Sequence, residues 1–264
     1  IAFVHAISDT LCALVSLAIL AIKLRHRKSN ISLASFSIQK PHIDTIIIII
    51  QQLVTPLSMA ILTMIAAQMG YSYVAAFALL FRLEALLLLI PMVLTTSLPA
   101  IIGTNFWSGH INRVKQAYLL VFSFIVLAQL FIAGLLLLNS EFIASFICPQ
   151  DEVVLHLKAY LYWVPWGYLG AGCAIVYQSC LNAEGKTIQA GLVGFTHRLV
   201  FLLSFTLLGT LIATEQSFYL SIMLGHFAGG LYVFYLFYKK HMANSHLPAW
   251  KISKTKLMLN EEGK

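Results

Sequence analysis

The chain has 264 residues, of which 59% are hydrophobic and only 10% charged, and its mean hydropathy is +0.84. Soluble domains carry about 25% charged residues, so this composition excludes an ordinary water-soluble globule. It points to an all-α, polytopic membrane protein, because the apolar runs are long and continuous rather than alternating. The formal net charge of +7 does not indicate a nucleic-acid partner; in a membrane protein the placement of cations outweighs their sum.

About 20 apolar residues cross the hydrocarbon core as a helix. The first such segment is 2–23, beginning almost at Ile1. No signal peptide with a cleavage site is visible, and the chain reads as a piece of a longer protein. His5 and Asp9 lie four residues apart on one face of this segment, where they form either a structural pair or a proton relay. The stretch 24–44 follows, rich in Lys and Arg. Its Asn30-Ile31-Ser32 fits a glycosylation sequon, which the topology below discounts. Six further spans are predicted at 45–69, 73–102, 114–138, 155–181, 187–213 and 217–238, ahead of a polar tail at 239–264.

The cations sort by side. Lys23, Arg25, Arg27, Lys28, Lys40, Arg113, Lys115, Lys186, Lys239, Lys240, Lys251, Lys254, Lys256 and Lys264 fall on one side if the spans alternate. The other side carries Glu141, Asp151, Glu152 and Glu215, with Lys158 as the exception. The positive-inside rule then places the C-terminus in the cytoplasm. The expected partner along the spans is the lipid bilayer.

Pro56, Pro91, Pro99 and Pro165 lie inside predicted spans. Each removes a backbone donor and tends to kink its helix, and Pro91 and Pro165 are the candidate hinges. Trp163, Trp166 and Tyr168 belong either to an interfacial aromatic belt or to a substrate cavity that stacks on flat cations. The cysteines Cys12, Cys148, Cys173 and Cys180 show no Cys-x-x-Cys spacing, and the three in predicted spans read as apolar fillers. No nucleophile–base set and no phosphate loop is present. The chain is not expected to be an enzyme or to hold a cofactor.

The stretch FRLEALLLLIP, residues 81–91, places Arg82 and Glu84 within an apolar run. Glu84 is 11 residues beyond Tyr73, about 16 Å along a helix and near the middle of a ~30 Å core. A charge at that depth costs about 2.5–3.5 kcal/mol on insertion scales. Arg82 is two positions away, about 200° around the helix, so the two do not share a face. Burial raises a carboxyl's pKa toward neutrality. Glu84 is therefore the candidate ion-coupling residue, exchanging H⁺ or holding Na⁺; no other metal is expected. Packing between helices is the plainer alternative. Arg82, Asp9 and Arg198 are possible supports.

Residues 75–117, AAFALLFRLEALLLLIPMVLTTSLPAIIGTNFWSGHINRVKQA, resemble helices and the following loop of the multidrug and toxic compound extrusion (MATE) transporters. Arg82-Leu83-Glu84, Pro91, Gly103-Thr104-Asn105 and Arg113 occupy the places of that family's Arg-x-Glu triplet, proline, Gly-Gln-Asn loop and basic stretch. Thr104 departs from the usual Gln, and Trp107-Ser108-Gly109-His110 from the usual Gly-Ala-Gly run. Residues 167–187 resemble the helix ending in Asn-x-x-Gly-Lys of the DinF-like branch. NorM-like members carry a second acid in this helix, and the matching position here is close to Ala171.

The resemblance implies a twelve-helix protein in two lobes. This chain would supply the last helix of the N-terminal lobe (1–23), a cytoplasmic inter-lobe loop (24–44), a six-helix C-terminal lobe (45–238) and a cytoplasmic tail (239–264). Its partner would be the N-terminal lobe of the same chain. The implied function is H⁺- or Na⁺-coupled antiport in a bacterial inner membrane, exporting organic cations or other amphipathic compounds. The alternatives are a lipid-linked oligosaccharide flippase of the same superfamily, for which Arg82 and Arg198 are the only cavity cations in view, and a seven-helix receptor.

Overall fold

The computed structural model describes residues 14–15, 43–212 and 214–243. The chain divides between Pro41 and His42 into two units. Of the first, only Leu14 and Val15 are described, and both are helical. The expected first span at 2–23, the 24–44 loop, Asp9 and most of the 239–264 tail lie outside the described residues.

The second unit is helical throughout its regular elements: α1 Ile43–Met69, α2 Tyr71–Leu87, α3 Leu89–Trp107, α4 Ile111–Leu138, α5 Ser140–Ile147, α6 Asp151–Trp163, α7 Tyr168–Ala183, α8 Thr187–Phe195, α9 Leu203–Leu211 and α10 Glu215–Phe237. A 3₁₀ turn at Val164–Gly167 joins α6 to α7, and π-helical segments occupy Thr196–Leu202 and Tyr238–Ala243. Among the described residues, five segments are long and apolar enough to cross a membrane: Ile43–Met69, Leu89–Trp107, Ile111–Leu138, Thr187–Leu211 and Gln216–Lys240.

Two predicted spans are broken rather than continuous. The 73–102 segment is two helices, parted at Leu88 (φ −91°, ψ 9°), and the second runs on to Trp107. Pro91 is the cause: it has no N–H to give the Leu87 carbonyl, and its ring crowds that carbonyl. An orphaned carbonyl in an apolar medium needs another donor. Gln129 on α4 supplies it, with Nε2 2.9 Å from the Leu87 oxygen. Pro99 likewise strands the Thr95 carbonyl, which accepts from Ser179 Oγ on α7 at 3.3 Å. The 155–181 segment is interrupted by the 3₁₀ turn that contains Pro165. The connection after α4 is a further helix, α5, with Phe142 and Phe146 on its exposed face.

Helix α7 runs through the centre and packs on α3, α4, α8 and α10. It meets α10 backbone to backbone. A Cβ on Gly170 would strike the His226 carbonyl, and one on Gly230 would strike the Gly170 Cα. Lipid offers no hydrophobic drive to bring helices together, so close approach through small residues does that work. Two apolar cores result. One gathers α1, α2, α6 and the start of α10 around Leu62, Leu80, Leu157 and Phe218. The other gathers α3, α4, α7 and the end of α10 around Ile102, Ile125, Val176 and Phe237.

Candidate functional site

Glu84 sits on α2, half-buried, whereas Arg82 two residues earlier is exposed. Among the described residues, no hydrogen bond or ion pair holds the Glu84 carboxylate. It lies within electrostatic range of the Arg198 guanidinium and of the Tyr160 and Tyr168 hydroxyls. Those two phenols, from α6 and α7, are buried and hydrogen-bonded to each other. The Tyr168 ring lies 5.5 Å from the His226 ring of α10, and His226 lies 5.4 Å from His197 in the π-helical segment. A file of buried polar side chains thus leads from the neighbourhood of Glu84 to His197 and Arg198.

His197 and Arg198 also form part of the wall of a polar cavity of ≈620 Å³. The other walls come from α1 (Gln51, Gln52, Thr55), α3 (Met92, Thr95) and α7 (Gln178, Ser179, Asn182). Gln51 organises this wall. Its Nε2 donates to the Thr187 carbonyl at 2.9 Å, and its Oε1 accepts from Gln178 Nε2 at 3.3 Å and Asn182 Nδ2 at 3.2 Å. The Gln178 amide lies flat on α8 because Gly194 has no side chain; a Cβ there would sit 2.7 Å from Gln178 Nε2. Among the described residues, four polar atoms at or beside this cavity are buried without a hydrogen-bond partner: Asn182 Oδ1, His197 Nε2, Arg198 Nη1 and His226 Nδ1.

Trp163, Trp166 and Tyr168 do not line this cavity. Tyr168 is 1% exposed and tied to Tyr160. Trp163 packs against the first apolar core, and Trp166 donates Nε1 to the Tyr162 carbonyl at 3.1 Å. All three sit around the Val164–Gly167 turn, while the cavity opens further along α7, from Ala174 to Asn182. Pro91 is buried, with Gly172 of α7 packed against its ring. Sequence reasoning passed over Gln51, Gln178, Asn182 and His197. The available signal was Gln178 and Asn182 at i, i+4 spacing, which places two amides on one face of an otherwise apolar helix.

A second buried acid was also missed. Glu184, just past α7, has a side chain with 0% exposure. Tyr118 Oη donates to its Oε1 at 2.7 Å, while Lys186 and Lys240 reach its Oε2 at 2.8 and 2.7 Å. Lys186 also stands 4.5 Å above the Phe106 ring. Burial works to raise the Glu184 pKa, but Lys240 and then Lys186 outweigh it and hold the carboxyl below its ordinary value.

The family model MatE matches residues 48–196, a range that contains Glu84 and most of the cavity wall. The chain belongs to the MatE family. It is therefore a multi-pass membrane protein of a transporter family, and the seven-helix receptor alternative falls away. A FAD transporter of Shewanella oneidensis is 28% identical over 187 residues, 71% of this chain and 41% of that protein. The bent form of the Vibrio cholerae MATE transporter VcmN superposes with a TM-score of 0.75 at 25% identity, covering 85% of this chain and 52% of VcmN. A MOP superfamily transporter from Pyrococcus furiosus, described as having a binding pocket of reverse polarity, shares the fold at TM-score 0.76 and 16% identity, over 89% of this chain and 55% of that one. The chain spans about half the length of these solved MatE-fold proteins, and less of the curated relative.

Proposed function

We propose that this chain is the C-terminal lobe of an ion-coupled efflux transporter, preceded by the last helix of the other lobe, and that Glu84 takes up and releases the coupling ion. The observation that carries this reading is the state of Glu84: a half-buried carboxylate on the largely apolar helix α2, with no hydrogen bond or ion pair among the described residues. A carboxylate so placed is costly unless something neutralises it. H⁺ does so by protonation and Na⁺ by coordination, and Arg198 stands in electrostatic range as a counter-charge. Uptake from one side and release to the other then drives alternating access between two lobes. The helix breaks at Leu88 and at Val164–Gly167, set by Pro91 and Pro165, are the places where α2–α3 and α6–α7 can bend. The site is a bacterial inner membrane, with the C-terminus in the cytoplasm. Organic cations and other amphipathic compounds are the cargo suggested by the family resemblance, and the flavin dinucleotide of the Shewanella relative is a further candidate.

The test is substrate efflux from proteoliposomes holding the full-length protein under an imposed H⁺ or Na⁺ gradient. Glu84→Gln keeps the shape and removes the titration, so ion-driven efflux should fall to background while the protein still folds and inserts. Glu84→Asp should keep part of the activity. Wild-type rates in a folded Glu84→Gln protein would return Glu84 to a packing role.

A further inference from the structure

The polar cavity is poorly suited to a cation. Among the described residues, none in its wall is an acid and none is Phe, Tyr or Trp, so they offer neither of the usual cation receptors, carboxylate or aromatic face. The one Lys or Arg among the described wall residues is Arg198, a guanidinium with five N–H donors and no acceptor. Glu84 lies within range of that charge and tempers it, but it is not part of the wall and makes no ion pair with Arg198.

We infer that this cavity binds an anion: a small molecule whose carboxylate or phosphate group is received by Arg198, and whose neighbouring polar edge is received by His197 and the amides of Gln178 and Asn182. Burying a polar atom without a partner costs about 1–3 kcal/mol, and more for a charged group. Arg198 Nη1, His197 Nε2 and Asn182 Oδ1 all stand buried and unpartnered at the same cavity, so a ligand that satisfies them together recovers that cost. Arg198 Nη1 can donate to an oxyanion, while His197 Nε2 and Asn182 Oδ1 can accept from a ligand N–H or O–H. The amides are already held in place by Gln51 and the Thr187 backbone, so little ordering is needed on binding. His197 and Arg198 are presented by a π-helical turn, Thr196–Leu202, a feature that recurs at functional sites. A volume of ≈620 Å³ suits a small-molecule ligand.

As a statement about cargo this rests on the transporter reading, but binding itself needs no gradient, so the two fail separately. Purified full-length protein is tested in detergent by equilibrium dialysis with three probes: flavin mononucleotide for phosphate, citrate for carboxylate, and tetraphenylphosphonium for cations. We expect one or both anions to bind more tightly than the cation. Arg198→Gln should weaken that binding at least tenfold, and Arg198→Lys should restore part of it. Asn182→Asp places a carboxylate in the wall and should weaken the anion while strengthening the cation. Because Arg198 is partly buried, the thermal midpoint of each unliganded variant is measured first. If Arg198→Gln does not fold, Asn182→Asp decides alone. Tighter binding of the cation than of either anion by the wild type would overturn the inference. So would anion binding that is unchanged in the folded variants. Loss of ion-driven efflux in Glu84→Gln bears on coupling and leaves this result untouched.

Discussion

Two glutamates of the same compact unit are held in opposite ways. Glu184 is fully buried and receives hydrogen bonds from Tyr118, Lys186 and Lys240. Glu84 is half-buried and receives none among the described residues. An acid with saturated oxygens and two ammonium partners has its charge fixed, and removing it strands those partners. An acid with empty oxygens has nothing to lose by changing its protonation or its ion. Burial alone therefore does not mark a functional carboxylate; the difference lies in whether the fold has already spent its lone pairs.

The largest expected effect breaks the comparison if it fails. Glu84→Gln should abolish ion-driven efflux yet leave the thermal midpoint near that of the wild type. Glu184→Gln should do the reverse, leaving coupling in the surviving protein and costing stability. Removing one partner of a buried ion pair costs about 3–5 kcal/mol. Both lysines keep some solvent contact, at 28% and 21% exposure, which lowers the expectation here to about 1–3 kcal/mol. Thermal unfolding of both variants in one detergent reads the contrast directly. Equal midpoints for the two would show that the Glu184 cluster does not hold the fold.

Acid sharpens the same comparison. The folded-state pKa of Glu184 lies below its ordinary value, because Lys240 and Lys186 outweigh the effect of burial. A depressed carboxyl pKa contributes stability that is present above the unfolded value of about 4.3 and lost as pH falls through the folded value. The thermal midpoint of the wild type should then carry a decline below about pH 4 that Glu184→Gln lacks. Identical acid limbs in the two proteins would exclude this linkage.

Much of the helical content is legible in the sequence, because membrane helices announce themselves as long apolar runs; the 45–69, 114–138 and 217–238 predictions fall within a few residues of α1, α4 and α10. The breaks are only half legible. Pro91 predicts a disruption, but its position at Leu88 depends on which carbonyl the ring strands and on Gln129 being there to rescue it. The π-helical turn at Thr196–Leu202 contains no proline or other breaker and leaves no mark in the sequence. Glu84 is visible as an acid in an apolar run. The cavity is not, because Gln51 meets Gln178 and Asn182 across 127 and 131 residues of chain. The same holds for Tyr168, which is buried and hydrogen-bonded to Tyr160, a pairing that no local pattern reports.

The smallest effect concerns the link beside Glu84. Gln129 Nε2 satisfies the Leu87 carbonyl that Pro91 leaves free, as Lys186 and Lys240 satisfy Glu184, but with a neutral bond. Both groups are buried, Gln129 at 1% exposure and Leu87 at 8%, so water does not readily replace the lost donor. Gln129→Leu keeps the approximate volume and removes the N–H. Interhelical hydrogen bonds in membranes average about 0.6 kcal/mol, and an unsatisfied buried carbonyl costs about 1–3 kcal/mol in soluble proteins. The expected loss is thus about 0.5–2 kcal/mol, below that for Glu184→Gln. The bond ties the break at Leu88, three residues from Pro91, to α4 and leaves Glu84 itself untouched. A Gln129→Leu protein should therefore be slightly less stable but still coupled through Glu84. The checks are its thermal midpoint and its efflux under an ion gradient. A loss of stability as large as that of Glu184→Gln would mean that the carbonyl cap ties these helices as strongly as the ion cluster does.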